Sequence, residues 1–193
     1  MENTELERLI FAVKSGENAD EAFAELVRRY EPMMRSRASS MFGGGSDFSE
    51  AMQEANIALH SAAITYDKEK CEGVTFGLYA SVCVCNRLRS MMRIRLRRSE
   101  HTDLMGKKDN LVGAGSPEDF VANRDLCERV LRLARAVLSD FEYQVFKLRF
   151  EGYSTKDIAK KLSKTPKSVD NAKCRVSKRL KAVEDIRKII FGI

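Results

Sequence analysis

Residues 139–181 read SDFEYQVFKLRFEGYSTKDIAKKLSKTPKSVDNAKCRVSKRLK, and this stretch opens three helices in succession. Ser139 and Glu142 have capping-box spacing, in which each side chain accepts a hydrogen bond from the other residue's backbone N–H. Glu151-Gly152 ends that first helix, which offers Phe141, Val145, Phe146 and Leu148 for packing. Ser154 with Asp157 repeats the spacing and opens a short helix carrying Ile158, Ala159 and Leu162. After Ser163-Lys164, Thr165 can cap a third helix with Pro166 at its first position, where a missing N–H costs nothing. A short helix, a tight turn and a longer basic helix make the helix-turn-helix layout.

The phase of the third helix sharpens this reading. Val169, Ala172, Val176, Leu180 and Val183 recur at i+3 and i+4 and are expected to face a core. The other side presents Lys167, Asn171, Arg175 and Lys178, flanked by Ser168. Amides and cations of this kind read base edges in a major groove, and the later cations neutralise phosphates. A purely structural helical hairpin has no need of a one-sided basic face.

Working outward, apolar residues recur at helical spacing almost throughout, and strand signals are nearly absent. The periodicity predicts a helix at 3–14, a second from Asp20 kinked by Pro32, a third from about Phe48 to Tyr66, and a long one from about Phe76 to Arg98. Gly43-Gly44-Gly45-Ser46 is read as a turn, because no Lys-Ser/Thr follows to make it a phosphate cradle. The polar stretch from Ser99, with Gly106, Gly113, Gly115 and Ser116-Pro117, marks a linker. The fold class is all-α: two small helical domains, 1–98 and 125–193, joined by a flexible linker over 99–124, the second domain a helix-turn-helix.

Charge follows the same division. Residues 1–70 carry a net charge of −5, residues 71–100 of +4, residues 101–138 of zero, and residues 139–193 of +7. Two cationic blocks separated by a neutral stretch fit a polyanion gripped at two places. The five cysteines and two histidines offer no zinc spacing and no disulfide framework. No apolar run approaches the ~20 residues of a membrane span, and the acidic N-terminus lacks the order of a signal peptide. A reducing, cytoplasmic setting with no metal, no cofactor and no membrane contact is expected. Neither histidine has a nucleophile or carboxylate partner in a motif, so no enzyme is expected.

The central helix has its own asymmetry. Ala80, Cys83, Val84, Met91 and Ile94 gather on one side, while Asn86, Arg89, Arg93 and Arg97 form a stripe with Val82 on another. Phe76 and Tyr79 stand at its start. Rings beside arginines suit single-stranded nucleic acid, by stacking and backbone tracking; the same two rings would serve a core equally well. In the preceding helix, Phe48, Met52, Ala55, Leu59, Ala62 and Tyr66 make an apolar stripe. Opposite it lie Glu50, Gln53, Glu54, Ile57 and Ser61, an isoleucine among acids of the kind a polar-rimmed protein contact uses.

The order of these parts resembles the sigma-70 family of bacterial RNA polymerase initiation factors, over about residues 20–183. Met52-Gln53-Glu54-Ala55-Asn56-Ile57-Ala58-Leu59 resembles that family's Leu-x-Gln-Glu-x-x-Ile-Gly-Leu segment. The resemblance implies a contact of Glu50, Gln53, Glu54 and Ile57 with the coiled coil of the largest subunit of the polymerase core. Tyr66-Asp67 and Phe76-Gly77-Leu78-Tyr79-Ala80 resemble the Tyr-Asp and Phe-Ser-Thr-Tyr-Ala stretches that capture unpaired bases of the −10 promoter element. Asn86 and Arg89 fall where the family reads that element's upstream edge, and the helix-turn-helix corresponds to its −35 reader. Ser116-Pro117-Glu118-Asp119 resembles the entry to the C-terminal domain of alternative factors. The partners so implied are core polymerase, promoter DNA and, for some members, an anti-sigma factor.

This chain departs from the family pattern in four respects. Val82-Cys83 replaces the aromatic pair that follows Tyr-Ala in housekeeping members, the loop after Tyr66-Asp67, with Cys71 and Glu72, is about two residues longer, Glu50-Ala51 replaces Asp-Leu, and the chain is short for a full middle domain. These features point to an alternative factor. The competing expectation is a stand-alone helix-turn-helix transcriptional regulator that dimerises through a self-complementary surface; the tail of Val183, Ile186, Ile189, Ile190 and Phe191 is the candidate, though it is expected rather to pack on its own domain. A recombinase-like DNA enzyme lacks a visible nucleophile or metal carboxylate set.

Overall fold

The computed structural model describes residues 2–100 and 117–191, with side chains placed over 5–97 and 119–191. Among these residues every regular element is a helix. They are α1 (Glu2–Ser15), α2 (Ala19–Phe42), α3 (Ser46–Thr65), α4 (Phe76–Glu100), α5 (Pro117–Val137), α6 (Asp140–Phe150), α7 (Thr155–Lys161), α8 (Pro166–Ala182) and α9 (Glu184–Ile186). A π-helical turn, Arg187–Phe191, follows α9. Helix α5 opens at Pro117, inside the stretch 99–124 read as linker; the rest of that stretch lies largely outside the described residues. Helix α2 runs through Pro32 to Phe42, its buried face formed by Ala22, Leu26, Tyr30, Met34 and Ala38.

Alanines let α2, α3 and α4 approach closely. Ala51, Ala55, Ala62 and Ala63 of α3 are fully buried, and α3 packs on both neighbours. Ion pairs stitch the same interface at its rim, from Arg87 to Glu54 at 2.5 Å and from Arg95 to Asp47 at 2.6 Å. The loop after α3 is fixed by the Tyr66 hydroxyl, which donates to the Val74 carbonyl at 2.8 Å.

One hydrophobic core runs through both halves of the chain. It joins Leu26, Leu59, Tyr79 and Leu88 to Cys127, Val130, Ala134, Leu180, Ile186 and Ile190. A smaller cluster of Val145, Tyr153, Ile158, Ala159, Val169 and Ala172 holds the α6–α8 unit together. Helix α4 is the shared element: α2 and α3 pack on it, and so do α5, α6 and the π turn. At its start, Gly77 meets α6 so closely that a Cβ there would lie 1.9 Å from the Phe150 carbonyl oxygen.

Candidate nucleic-acid interface

The three helix starts in 139–181 form as their side chains dictate. Glu142 N donates to Ser139 Oγ at 3.4 Å while Ser139 N donates to Glu142 Oε2 at 3.1 Å, a complete capping box. Asp157 N donates to Ser154 Oγ at 3.3 Å, and Ser168 N donates to Thr165 Oγ1 at 3.2 Å with Pro166 in the first turn. Two positive-φ residues make the bends: Gly152 at φ 89° between α6 and α7, and Ser163 at φ 52° between α7 and α8. Ser163 accepts a backbone conformation that a serine seldom adopts, which fixes the angle at which α8 leaves α7.

Helix α8 is divided as its periodicity predicts. Val169, Ala172, Val176 and Leu180 are buried; Lys167, Asn171, Arg175 and Lys178 are exposed, and Ser168 is half-buried. Arg175 is also engaged beneath the surface, where its Nε donates to Glu142 Oε1 at 2.8 Å; Arg179 donates to Glu142 Oε2, also at 2.8 Å. One carboxylate thus caps α6 and anchors two cations of α8, a role the sequence disclosed only as a cap.

Burial pushes the pKa of Glu142 upward, but hydrogen bonds from Arg175 and Ser139 and the charge of Arg179 outweigh it and hold the group below the ordinary 4.5. A carboxylate depressed in the folded state stabilises it above its unfolded pKa, and the contribution is lost as pH falls through the folded value. Glu142→Gln keeps a capping side chain and removes the charge. Its expected cost is about 1–3 kcal/mol at neutral pH. In thermal unfolding followed from about pH 6 to about pH 3, the gap between the variant and the parent chain should shrink; a constant gap would contradict this role.

The central stripe is divided by the packing of the two halves. Asn86 Nδ2 donates to Asn123 Oδ1 of α5 at 2.6 Å, and Arg89 donates to the Ile189 carbonyl of the π turn at 3.1 Å. Arg93 and Arg97 are exposed beyond this contact, Arg93 donating to Ser90 Oγ at 3.1 Å. Phe76 and Tyr79 are almost wholly buried, at 3% and 1% exposure. Phe76 lies edge-on to Tyr30 and Tyr66, Tyr79 packs on Tyr66 and on Phe120 of α5, and the Tyr79 hydroxyl shares a 3.1 Å hydrogen bond with Thr65. In this arrangement neither ring has a face free for a base.

Of the α3 residues, Gln53, Glu50 and Ile57 are exposed, Ile57 by 47%. Glu50 pairs with Arg95, and Glu54 is drawn into the half-buried pair with Arg87. Of these four, Glu50, Gln53 and Ile57 stand at the surface, while Glu54 holds α4 beside them. Among the described residues no group of three His, Cys, Asp or Glu is placed to hold a metal, and no helix is long and apolar enough to cross a membrane.

These elements define a helical chain with a helix-turn-helix at its C-terminal end and a separate basic helix at its centre. Residues 26–98 match the family described as Sigma-70 region 2, and residues 136–190 match that of bacterial regulatory proteins of the luxR family. The chain is 26% identical over 201 residues to the RNA polymerase sigma-H factor of Bacillus subtilis, covering 95% of this chain and 90% of the relative. It is 25% identical over 204 residues to the sigma-H factor of Bacillus licheniformis, covering 95% and 88%. An uncharacterised protein of Mycoplasma genitalium is 29% identical over 119 residues, 59% of this chain and 69% of that one. No solved structure matches significantly. The Sigma-70 region 2 match and the two sigma-H relatives support a place for this chain among the sigma-70 factors.

Proposed function

We propose that the protein is an alternative sigma factor: it binds the RNA polymerase core and directs it to promoters in transcription initiation. The observation that carries this is the outward face of α8, where Lys167, Asn171 and Lys178 stand exposed over a buried apolar side, in a chain whose residues 26–98 match Sigma-70 region 2. In this reading α8 enters the major groove of the upstream element, Lys167, Ser168 and Asn171 towards bases and Lys178 towards phosphate. Glu50, Gln53 and Ile57 meet the coiled coil of the core enzyme.

The strand-opening part of the reading falls on α4. Arg93 and Arg97 track the backbone, and Asn86 and Arg89 join them when α5 and the π turn leave. Stacking by Phe76 and Tyr79 needs the aromatic cluster around Phe120 to come apart as well, so polymerase binding is the event that separates the two halves. Stacking worth about 1–3 kcal/mol per base is of the size needed to offset unpairing.

Run-off transcription with purified core and genomic fragments, with start sites mapped, tests the reading; no affinity for core in a pull-down at moderate salt refutes it. Asn171→Ala is expected to change upstream sequence preference by about 1–3 kcal/mol at one position, whereas Lys178→Ala weakens all sequences alike and lowers the salt slope by about 1. Equal effects on all sequences from both variants would remove the groove assignment.

The luxR-family match of 136–190 is the observation that favours a dimeric regulator. The surface named for that dimer is occupied, since Ile186, Ile189 and Ile190 are buried within the chain. A palindromic footprint from the protein alone would support the regulator.

A further inference from the structure

A cavity of about 570 Å³ lies where α2 faces α6 and α8. Its charged lining is entirely basic: Arg29 and Arg37 from α2, Arg149 from α6, Lys173 and Lys181 from α8, with no carboxylate among the lining residues. The walls between the cations are aromatic, with Tyr30, Phe150, Tyr153 and Phe191. Arg37 and Lys181 both sit over the Phe191 ring, 4.7 and 5.4 Å from its centroid.

Two polar atoms of the lining residues are buried without a hydrogen-bond partner in the protein, Tyr30 Oη and Arg37 Nε. Burial presses the pKa of Arg37 downward, against an opposing hydrogen bond with Cys85. Arg149 is exposed and has no ion-pair partner among the described residues. Arg29 has one at 3.5 Å, Glu5, and Lys173 is held by Asp170 at 3.0 Å. Lys173 lies beside the buried edge of α8, away from Lys167, Asn171 and Lys178, while Lys181 stands one turn beyond Lys178 where that side of the helix meets the cavity.

Two of the five cations are paired, and the other three, Arg37, Arg149 and Lys181, repel one another around one concavity until an anion joins them. Guanidinium groups bind phosphate oxygens in paired hydrogen bonds, and aromatic walls take the face of a base. The volume lies within the range of small-molecule sites, about 300–1,000 Å³. We infer that this cavity binds a nucleoside polyphosphate, phosphates on Arg37 and Arg149 and base against the aromatic wall. Because α2 and α6/α8 line it from opposite halves, the ligand holds those halves together. Mass action then favours the arrangement in which Asn86 and Arg89 are occupied by Asn123 and Ile189. The ligand thereby opposes promoter engagement.

Equilibrium dialysis of the full chain with ATP, GTP, AMP and inorganic tripolyphosphate tests this. Saturable one-to-one binding of a nucleoside triphosphate is expected, with tripolyphosphate and AMP each weaker by about tenfold or more. Arg149→Glu, a change at an exposed residue, should leave thermal unfolding of the free chain unaltered while weakening nucleotide binding by about tenfold or more. Lys178→Ala should leave nucleotide binding as it is. Absence of saturable binding, equal affinity in Arg149→Glu, or an equal loss in Lys178→Ala overturns the site, and equal affinity for tripolyphosphate overturns the nucleoside. Core pull-down in parallel reports on the sigma reading separately, because Arg149 lies outside the face assigned to polymerase.

Discussion

Gly77→Ala should release the C-terminal half from α4. Judged by helix propensity alone, alanine inside α4 is the better residue by about 0.8–1.0 kcal/mol. The added Cβ, however, would lie 1.9 Å from the Phe150 carbonyl oxygen and 3.2 Å from the Tyr30 ring, and a main-chain carbonyl held in α6 cannot swing aside as a side-chain tip can. The local gain and the tertiary clash have opposite signs, and the clash is the larger because α6 as a whole must move. The expected outcome is a chain of unchanged helix content with a larger radius of gyration in small-angle scattering, and with Asn86 and Arg89 freed to raise its affinity for single-stranded promoter DNA in the absence of polymerase. A variant that is as compact as the parent and melts higher would show that α6 does not rest on Gly77.

The second large effect is at Tyr79. With 1% of its surface exposed and its ring against Tyr66 and Phe120, truncation to alanine opens a cavity in the one core that both halves share. The loss should be about 3–5 kcal/mol, as for other buried aromatic-to-alanine changes. Tyr79→Phe keeps the ring and gives up the hydroxyl's hydrogen bonds with Thr65 and Cys83, at about 1 kcal/mol each. Denaturant unfolding of the two variants discriminates: losses under about 1 kcal/mol for both would place the ring outside the core. Tyr79→Ala is consequently a poor probe of strand opening on its own. Any defect in permanganate footprints has to be compared with that of Tyr79→Phe, in which the stacking face is preserved and the fold nearly so.

What was legible in the sequence was what local chemistry writes there. The Ser139–Glu142 box, the Ser154 and Thr165 caps and Pro166 act within one helical turn, so their spacing alone placed α6, α7 and α8. The buried stripe of α8 followed from a 3.6-residue period and left Lys167, Asn171 and Lys178 outside. The docking of α5 and the π turn on α4 has no such local mark. Asn86 meets a residue 37 positions on, and Arg89 one that is 100 positions on, and no periodicity relates them. Phe76 and Tyr79 show the limit from another side, because a ring that stacks on bases and a ring that fills a core are the same residue. Glu142 was half-read: its spacing disclosed the cap, while its bonds to Arg175 and Arg179 depend on how α6 crosses α8.

Cys85 lies at the seam between α4 and the π turn, its thiol donating to the Ile190 carbonyl at 3.3 Å with none of the residue exposed, and burial keeps its pKa raised. Cys174, by contrast, is exposed on α8. The native chain therefore carries a built-in stopwatch: under a maleimide reagent Cys174 should be modified at once, while alkylation of Cys85 waits for each parting of the seam. The ratio of the two rates, read by mass spectrometry without any engineered label, would give how often the free protein unlatches and how far polymerase changes that frequency.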